Sequence, residues 1–362
     1  MPVFVADLTT PSLLVDLDRV DANLRRVQAY ANDQGALLRP HVKTHKTPYF
    51  ARLQLEQGAV GLCVAKLGEG EVFADAGFDD LVMPHTIATA DKAARAVALA
   101  QRVRFAIGVD HPDQVAVLSA AAAGAAQPLA VRLEVDTGAG RGGAPEGVVA
   151  DLARLVRDAP GLRLAGVYTY EGYTYGARDR DELVAVHDVA QQVLLRAATA
   201  ARPFADGPLA VSVGSTPSAL AAVPLRQGVT ETRPGTYVFN DLTQAVWAGG
   251  TEHAAAHVLA TVVSVQPGRA ILDAGSKTLT SDKRPGQEGH GRLVDHDLPV
   301  VRLSEEHGVV EGPGVEQLAV GARVRVLMNH VCPVVNLFPE LHLMRGSEVV
   351  EVVSVAARGK LV

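Results

Sequence analysis

Cysteine and aromatic side chains are scarce in this chain. Cys63 and Cys332 are its two cysteines in 362 residues, too few for a disulfide framework, which excludes a stapled secreted scaffold and fits a reducing compartment. Aromatic residues make up 4%, with one tryptophan, and no basic run alternates with them. With a net charge of −6, the chain carries no nucleic-acid footprint. It also lacks an apolar run long enough to span a bilayer, and MPVFVADLTT has neither the basic nor the apolar region of a signal peptide. The expectation is a cytoplasmic protein with no nucleic-acid or membrane partner.

What is present is 48% hydrophobic and 20% charged residues, a globular composition in a chain too long for one ordinary core. Apolar, β-branched runs at 36–42, 61–65, 80–84, 104–110, 129–136, 164–170, 209–214 and 230–239 alternate with Ala- and Leu-rich helical patterns. That series has the rhythm of a (β/α)8 barrel over 17–247. Val20, Leu24 and Val27 share one face of the first helix, and Leu183, Val186, Val189 and Val193 that of a later one, whose His187 reads as a surface residue. After Trp247 short strands alternate with Gly/Pro turns and helical spacing almost vanishes, which predicts a mostly antiparallel β domain over 248–362.

Barrel chemistry gathers at the C-terminal ends of the strands. Just past the expected strands stand Lys43 and His45, then His85, then the loop DTGAGRGG with Arg141, then Tyr168, Tyr170 and Tyr173, and finally the turns GSTPS and RPGTYVFND. His41, His45 and Lys46 flank Lys43, and crowded cations disfavour one another's protonation. Lys43 is thus a candidate amine nucleophile, able to form a Schiff base with a carbonyl cofactor; a solvated basic turn has the same composition. The turns at 214–218 and 234–237 are made of small residues whose N–H groups suit a phosphate, although each alone is ordinary loop sequence. His330 and Cys332 stand two apart; on an extended strand they project on one face, where imidazole and thiolate reach one cation. A buried structural cysteine beside a histidine reads the same way.

The segments TPSLLVDLDRVDANLRR, LRPHVKTHK, DTGAGRGG and NHVCPVVNL, spread in this order over nearly the whole chain, resemble the D-threonine aldolase and D-serine dehydratase group. The resemblance implies pyridoxal 5'-phosphate (PLP) enzymes of the alanine-racemase-like fold, a barrel whose companion β domain also takes in the first strand, at 1–16. It implies Lys43 as the Schiff-base lysine and Gly214, Ser215, Thr216, Gly235 and Tyr237 as contacts of the PLP phosphate. Arg141 matches the arginine of alanine racemases that faces the cofactor's phenolic oxygen. Tyr170 or Tyr168 is a candidate partner of the cofactor ring or the substrate carboxylate, with rim packing the alternative. His330 and Cys332 correspond to the group's metal site, where thiolate plus imidazole favours zinc and a carboxylate would favour manganese or magnesium. Asp273 and His307 are candidates to line it, or turn residues.

The implied activity is cleavage of a β-hydroxy-D-amino acid to glycine and an aldehyde, with the cation on the β-hydroxyl and His85 as the base. Dehydration of D-serine or D-3-hydroxyaspartate to a keto acid and ammonia is the alternative. Cys332 resembles the dehydratases and the following PVVNL the aldolases. A PLP-binding protein without catalysis is a lesser alternative, opposed by the β domain and its His330 and Cys332. The strand-rich C-terminal third has too few helices to cover its sheets, which predicts a homodimer. In relatives of this fold the β domain of one chain faces the barrel of another, implying that Lys43 and the metal ligands come from different chains.

Overall fold

Each of the eight apolar runs of the first 240 residues forms a strand in the computed structural model, which describes residues 3–283 and 288–362. Leu37–Leu38, Glu231–Thr232, Ala210–Val213, Leu162–Tyr168, Leu129–Glu134, Arg104–Val109, Asp80–Met83 and Leu62–Cys63 lie side by side in that order, all parallel. A parallel bridge from His41 to Cys63, with the Cys63 N–H donated to the Pro40 carbonyl at 2.8 Å, joins the two end strands and closes the barrel. The barrel belongs to a compact unit of Val27–Lys43, Phe50–Gly235 and Lys360–Val362. Its first and last strands are only two residues long because the chain turns at once into 3-10 turns at Val42–Thr44 and Thr236–Val238.

The helices follow the expected alternation, and Val20, Leu24 and Val27 are buried together on the first, Leu17–Asp33. Arg180–Ala201 corrects the expectation for its face. Leu183 is buried, but so are His187, Ala190, Gln191, Leu194 and Ala197, while Val189 is 56% exposed. The inward stripe contains two polar residues, so apolar spacing pointed to the wrong valines. His187 is not a surface residue: its Nδ1 lies 2.5 Å from a carboxylate oxygen of the equally buried Glu171.

Inside the barrel, Cys63, Val82, Ala106 and Ala130 pack together with Ala165 against them. Tyr168 crosses this space and donates to Glu134 at 3.1 Å. Gly108 makes room for it, since a Cβ there would sit 2.1 Å from the phenolic oxygen. Glu231, fully buried, accepts from Arg39 at 2.7 Å, Arg132 at 2.6 Å and Ser212 at 2.6 Å. Burial opposes the charge of Glu231, but Arg132 and Arg39 hold its carboxyl well below the usual range.

The other unit comprises Met1–Arg26, Thr44–Tyr49 and Thr236–Gly359. Its ten-stranded sheet is antiparallel at every pairing but one. Ser12–Asp16 lies between Ala256–Gln266 and, in the one parallel pair, Glu340–Arg345. Short helices Ser276–Leu279 and Val331–Leu337 interrupt the strands. Among the described residues no helix is long and apolar enough to cross a membrane.

Candidate active site

Lys43 lies in the turn that leaves the first barrel strand. His41, just before it, is fully buried, and neither ring nitrogen has a partner; the buried Nδ1 of His85 is likewise unpaired. The two rings meet edge to face with centroids 5.9 Å apart. Burial, reinforced by the charge of Lys43, pushes His41 well below its ordinary value and His85 down to about 3. Both imidazoles are therefore neutral at pH 7. Of the other expected neighbours, His45 accepts the Thr47 N–H at 3.1 Å and packs on Phe239, and Lys46 reaches the Ala357 carbonyl at 3.4 Å. The basic segment is thus not one solvated turn, since His41, His45 and Lys46 are all buried.

The glycine-rich loop after the fifth strand is shaped by its aspartates. Asp136 accepts the Gly138 N–H at 2.9 Å, and Asp110 the Gly143 N–H at 2.8 Å. Gly143 has φ +107° and no space for a Cβ, which would lie 2.5 Å from the Asp136 nitrogen. The loop lays the Arg141 guanidinium over the Tyr170 ring, 4.1 Å from its centroid, and 3.7 Å from Glu134. The three tyrosines separate by role: Tyr168 fills the barrel, Tyr170 carries Arg141, and Tyr173 bonds Thr137 at 3.1 Å.

The turns after strands seven and eight are bound to each other. Gly235 N–H donates to Thr216 Oγ1 at 3.2 Å, and Ser215 caps the short helix Thr216–Leu220 through the Ser218 N–H at 3.3 Å. Gly214, Ser215, Thr216, Gly235 and Tyr237 are all buried. Unpaired buried imidazole nitrogens beside a lysine, a cationic guanidinium and buried small-residue turns fit a phosphorylated aldehyde cofactor.

His330 and Cys332 are not on an extended strand. His330 is the cap of the helix Val331–Leu337, and Cys332 lies in its first turn. The helix forms because Asp241, which caps its own helix at Gln244 with one oxygen, accepts the Val331 N–H with the other at 3.0 Å. The two side chains are still near enough for Cys332 to raise the basicity of His330. Thr44, next in the chain to Lys43, has its hydroxyl 3.3 Å from the Cys332 sulfur, and Thr236 follows at 3.8 Å. Burial opposes a charge on His330, yet Cys332, Asp241 and Asp282 raise it to about 10. Surroundings that hold a proton so firmly also suit a cation. Among the described residues no group of three or more His, Cys, Asp or Glu side chains forms a cation site.

Asp282 has no sequence signal as a partner of His330, 48 residues away. Its carboxylate lies 2.8 Å from Nδ1, which orients the ring and leaves Nε2 for a metal. Asp282→Asn should therefore weaken metal affinity by about 10- to 100-fold, measured by competition with a chromophoric chelator. Asp273 is instead bonded to Thr10 at 2.6 Å and to the Thr261 N–H at 2.7 Å, and His307 is exposed in a turn.

Comparison with known proteins bears on both units. Residues 15–242 match the alanine racemase N-terminal domain, and residues 255–344 a putative serine dehydratase domain. The chain is 34% identical to a D-threonine aldolase of Arthrobacter over 98% of its length and 94% of that protein's. It superposes on the crystal structure of D-threonine aldolase from Filomicrobium marinum with a TM-score of 0.90, at 32% identity, covering 100% of this chain and 99% of that one. A Cys-to-Ala mutant of D-threo-3-hydroxyaspartate dehydratase, in the metal-free form, matches with a TM-score of 0.90 and 30% identity over 97% of this chain and 98% of that one.

Proposed function

Because the chain belongs to the D-threonine aldolase and D-serine dehydratase family, lyases on the alanine-racemase fold that act on D-amino acids, we propose that it cleaves the Cα–Cβ bond of a β-hydroxy-D-amino acid, giving glycine and an aldehyde. PLP, when bound, supplies the sink for the electrons of the broken bond. A divalent cation, with zinc favoured by a thiolate and imidazole donor set, would lower the pKa of the β-hydroxyl. Lys43 holds the cofactor covalently, and the turns at 214–218 and 234–237 hold its phosphate, with Tyr237 beside them. Arg141, braced on Tyr170, would favour the anionic form of the cofactor's phenolic oxygen. His330 and Cys332 would hold the cation. His85 would take the β-hydroxyl proton; burial first, and then the charges of Lys43 and Arg141, lower its basicity, and anionic cofactor and substrate would offset the second contribution.

The observation that carries this reading is the similarity to D-threonine aldolases over the full length of the chain. Incubation with D-threonine and zinc or manganese should yield glycine and acetaldehyde. A second reading, dehydration of D-serine or D-3-hydroxyaspartate, is favoured by one observation, the 34% identity to the D-threo-3-hydroxyaspartate dehydratase of Delftia over 92% of this chain. Keto acid and ammonia from D-serine or D-3-hydroxyaspartate, with no glycine from D-threonine, would establish it instead.

A homodimer is supported by apolar surface on two adjacent strands, where Val3, Phe4, Val350 and Val352 are 42 to 49% exposed. Light scattering should give twice the chain mass. With Lys43 and the metal ligands drawn from different chains, as in relatives of this fold, mixed Lys43→Ala and His330→Ala subunits should regain up to about one intact site per mixed dimer, and no recovery after proven subunit exchange would confine the site to one chain.

A further inference from the structure

The N-terminal end of the barrel, opposite Lys43 and the phosphate turns, holds a cavity of about 240 Å³, room for roughly eight waters at ~30 Å³ each. It exists because the interior positions of three neighbouring strands are alanines, Ala106, Ala130 and Ala165, where barrels usually carry Val, Ile or Leu. Four arginines line it, namely Arg39, Arg104, Arg132 and Arg163. Their charges are incompletely matched. Glu231 binds Arg39 and Arg132, Asp80 accepts from Arg39 at 2.6 Å, and Arg104 comes no nearer than 3.5 Å to Asp80 and 3.6 Å to the exposed Asp79.

Two donors are left over. Arg132 is 7% exposed, and with both terminal nitrogens directed to Glu231 its buried Nε–H has no partner. Arg163, on the exposed rim, has no ion pair among the described residues. A buried, unpaired donor on a charged group is costly, and a compact oxyanion would satisfy it and balance the excess charge. Guanidinium groups suit such a ligand through charge-assisted hydrogen bonds. We propose that this barrel-floor cavity is a binding site for a small inorganic oxyanion of the phosphate or sulfate type, separate from the turns assigned to the PLP phosphate.

The test is calorimetric titration of inorganic phosphate, and separately sulfate, into protein saturated with PLP, at constant ionic strength with chloride as the control. One saturable site per chain is expected. Ala130→Leu, which fills the cavity, should abolish binding without changing activity on a D-amino acid substrate. Arg163→Gln should weaken binding about tenfold, the loss of one charge-assisted hydrogen bond. If Ala130→Leu fails to fold, the exposed Arg163→Gln decides alone. Absence of saturable binding, or an affinity unchanged in Arg163→Gln, overturns the proposal; the second result would place the anion elsewhere.

Discussion

Lys43→Ala should abolish the visible absorbance of the bound cofactor and reduce turnover to background. The reason lies in how the basic residues of the segment are disposed. Lys46, the nearest rival, is buried with its amine on the Ala357 carbonyl and its backbone at positive φ, a residue committed to structure. Lys66 also acts on His85 but is exposed at the start of a helix. Lys43 acts on both His41 and His85, imidazoles with buried, unpaired nitrogens, polar atoms that a bound cofactor and substrate could engage. An absorbance band that survives in Lys43→Ala and vanishes in Lys46→Ala would falsify the assignment.

The second large effect concerns the metal. Chelation, or His330→Ala, should lower activity by about 10²-fold or more while PLP stays bound, because Lewis-acid stabilisation of a developing alkoxide is worth several kcal/mol. Retention of the cofactor is what separates this from general unfolding, and it is read from the same visible band. Cys332→Asp should then shift the preferred ion from zinc toward manganese, since a hard carboxylate replaces a soft thiolate. The helix that carries Cys332 is held by Asp241 at the Val331 N–H, so the substitution changes the donor without moving its support. Full activity in chelator would remove the cation from the mechanism.

The eight barrel strands and most of the helices were legible because each is a local pattern. A parallel strand covered by helices is a short apolar run, and a helix between two such runs has its own period. The positions of Lys43, His85 and Arg141 followed from the same regularity, being in the loops that follow strands. Where a stripe included polar residues, as at His187 and Gln191, periodicity misplaced the buried face, because the Glu171 carboxylate that satisfies His187 belongs to another segment.

The sequence by itself therefore determined the order of elements, the fold and the residues at the strand ends, all set by neighbours within a few positions. Tertiary structure alone decided the rest. It put His330 and Cys332 at a helix start, because a carboxylate 90 residues earlier accepts the Val331 N–H. It gave His330 its partner Asp282, and it bound the Lys46 amine to a carbonyl 311 residues away. These outcomes depend on buried polar groups finding partners across long loops, and such pairings leave no periodic trace in the chain.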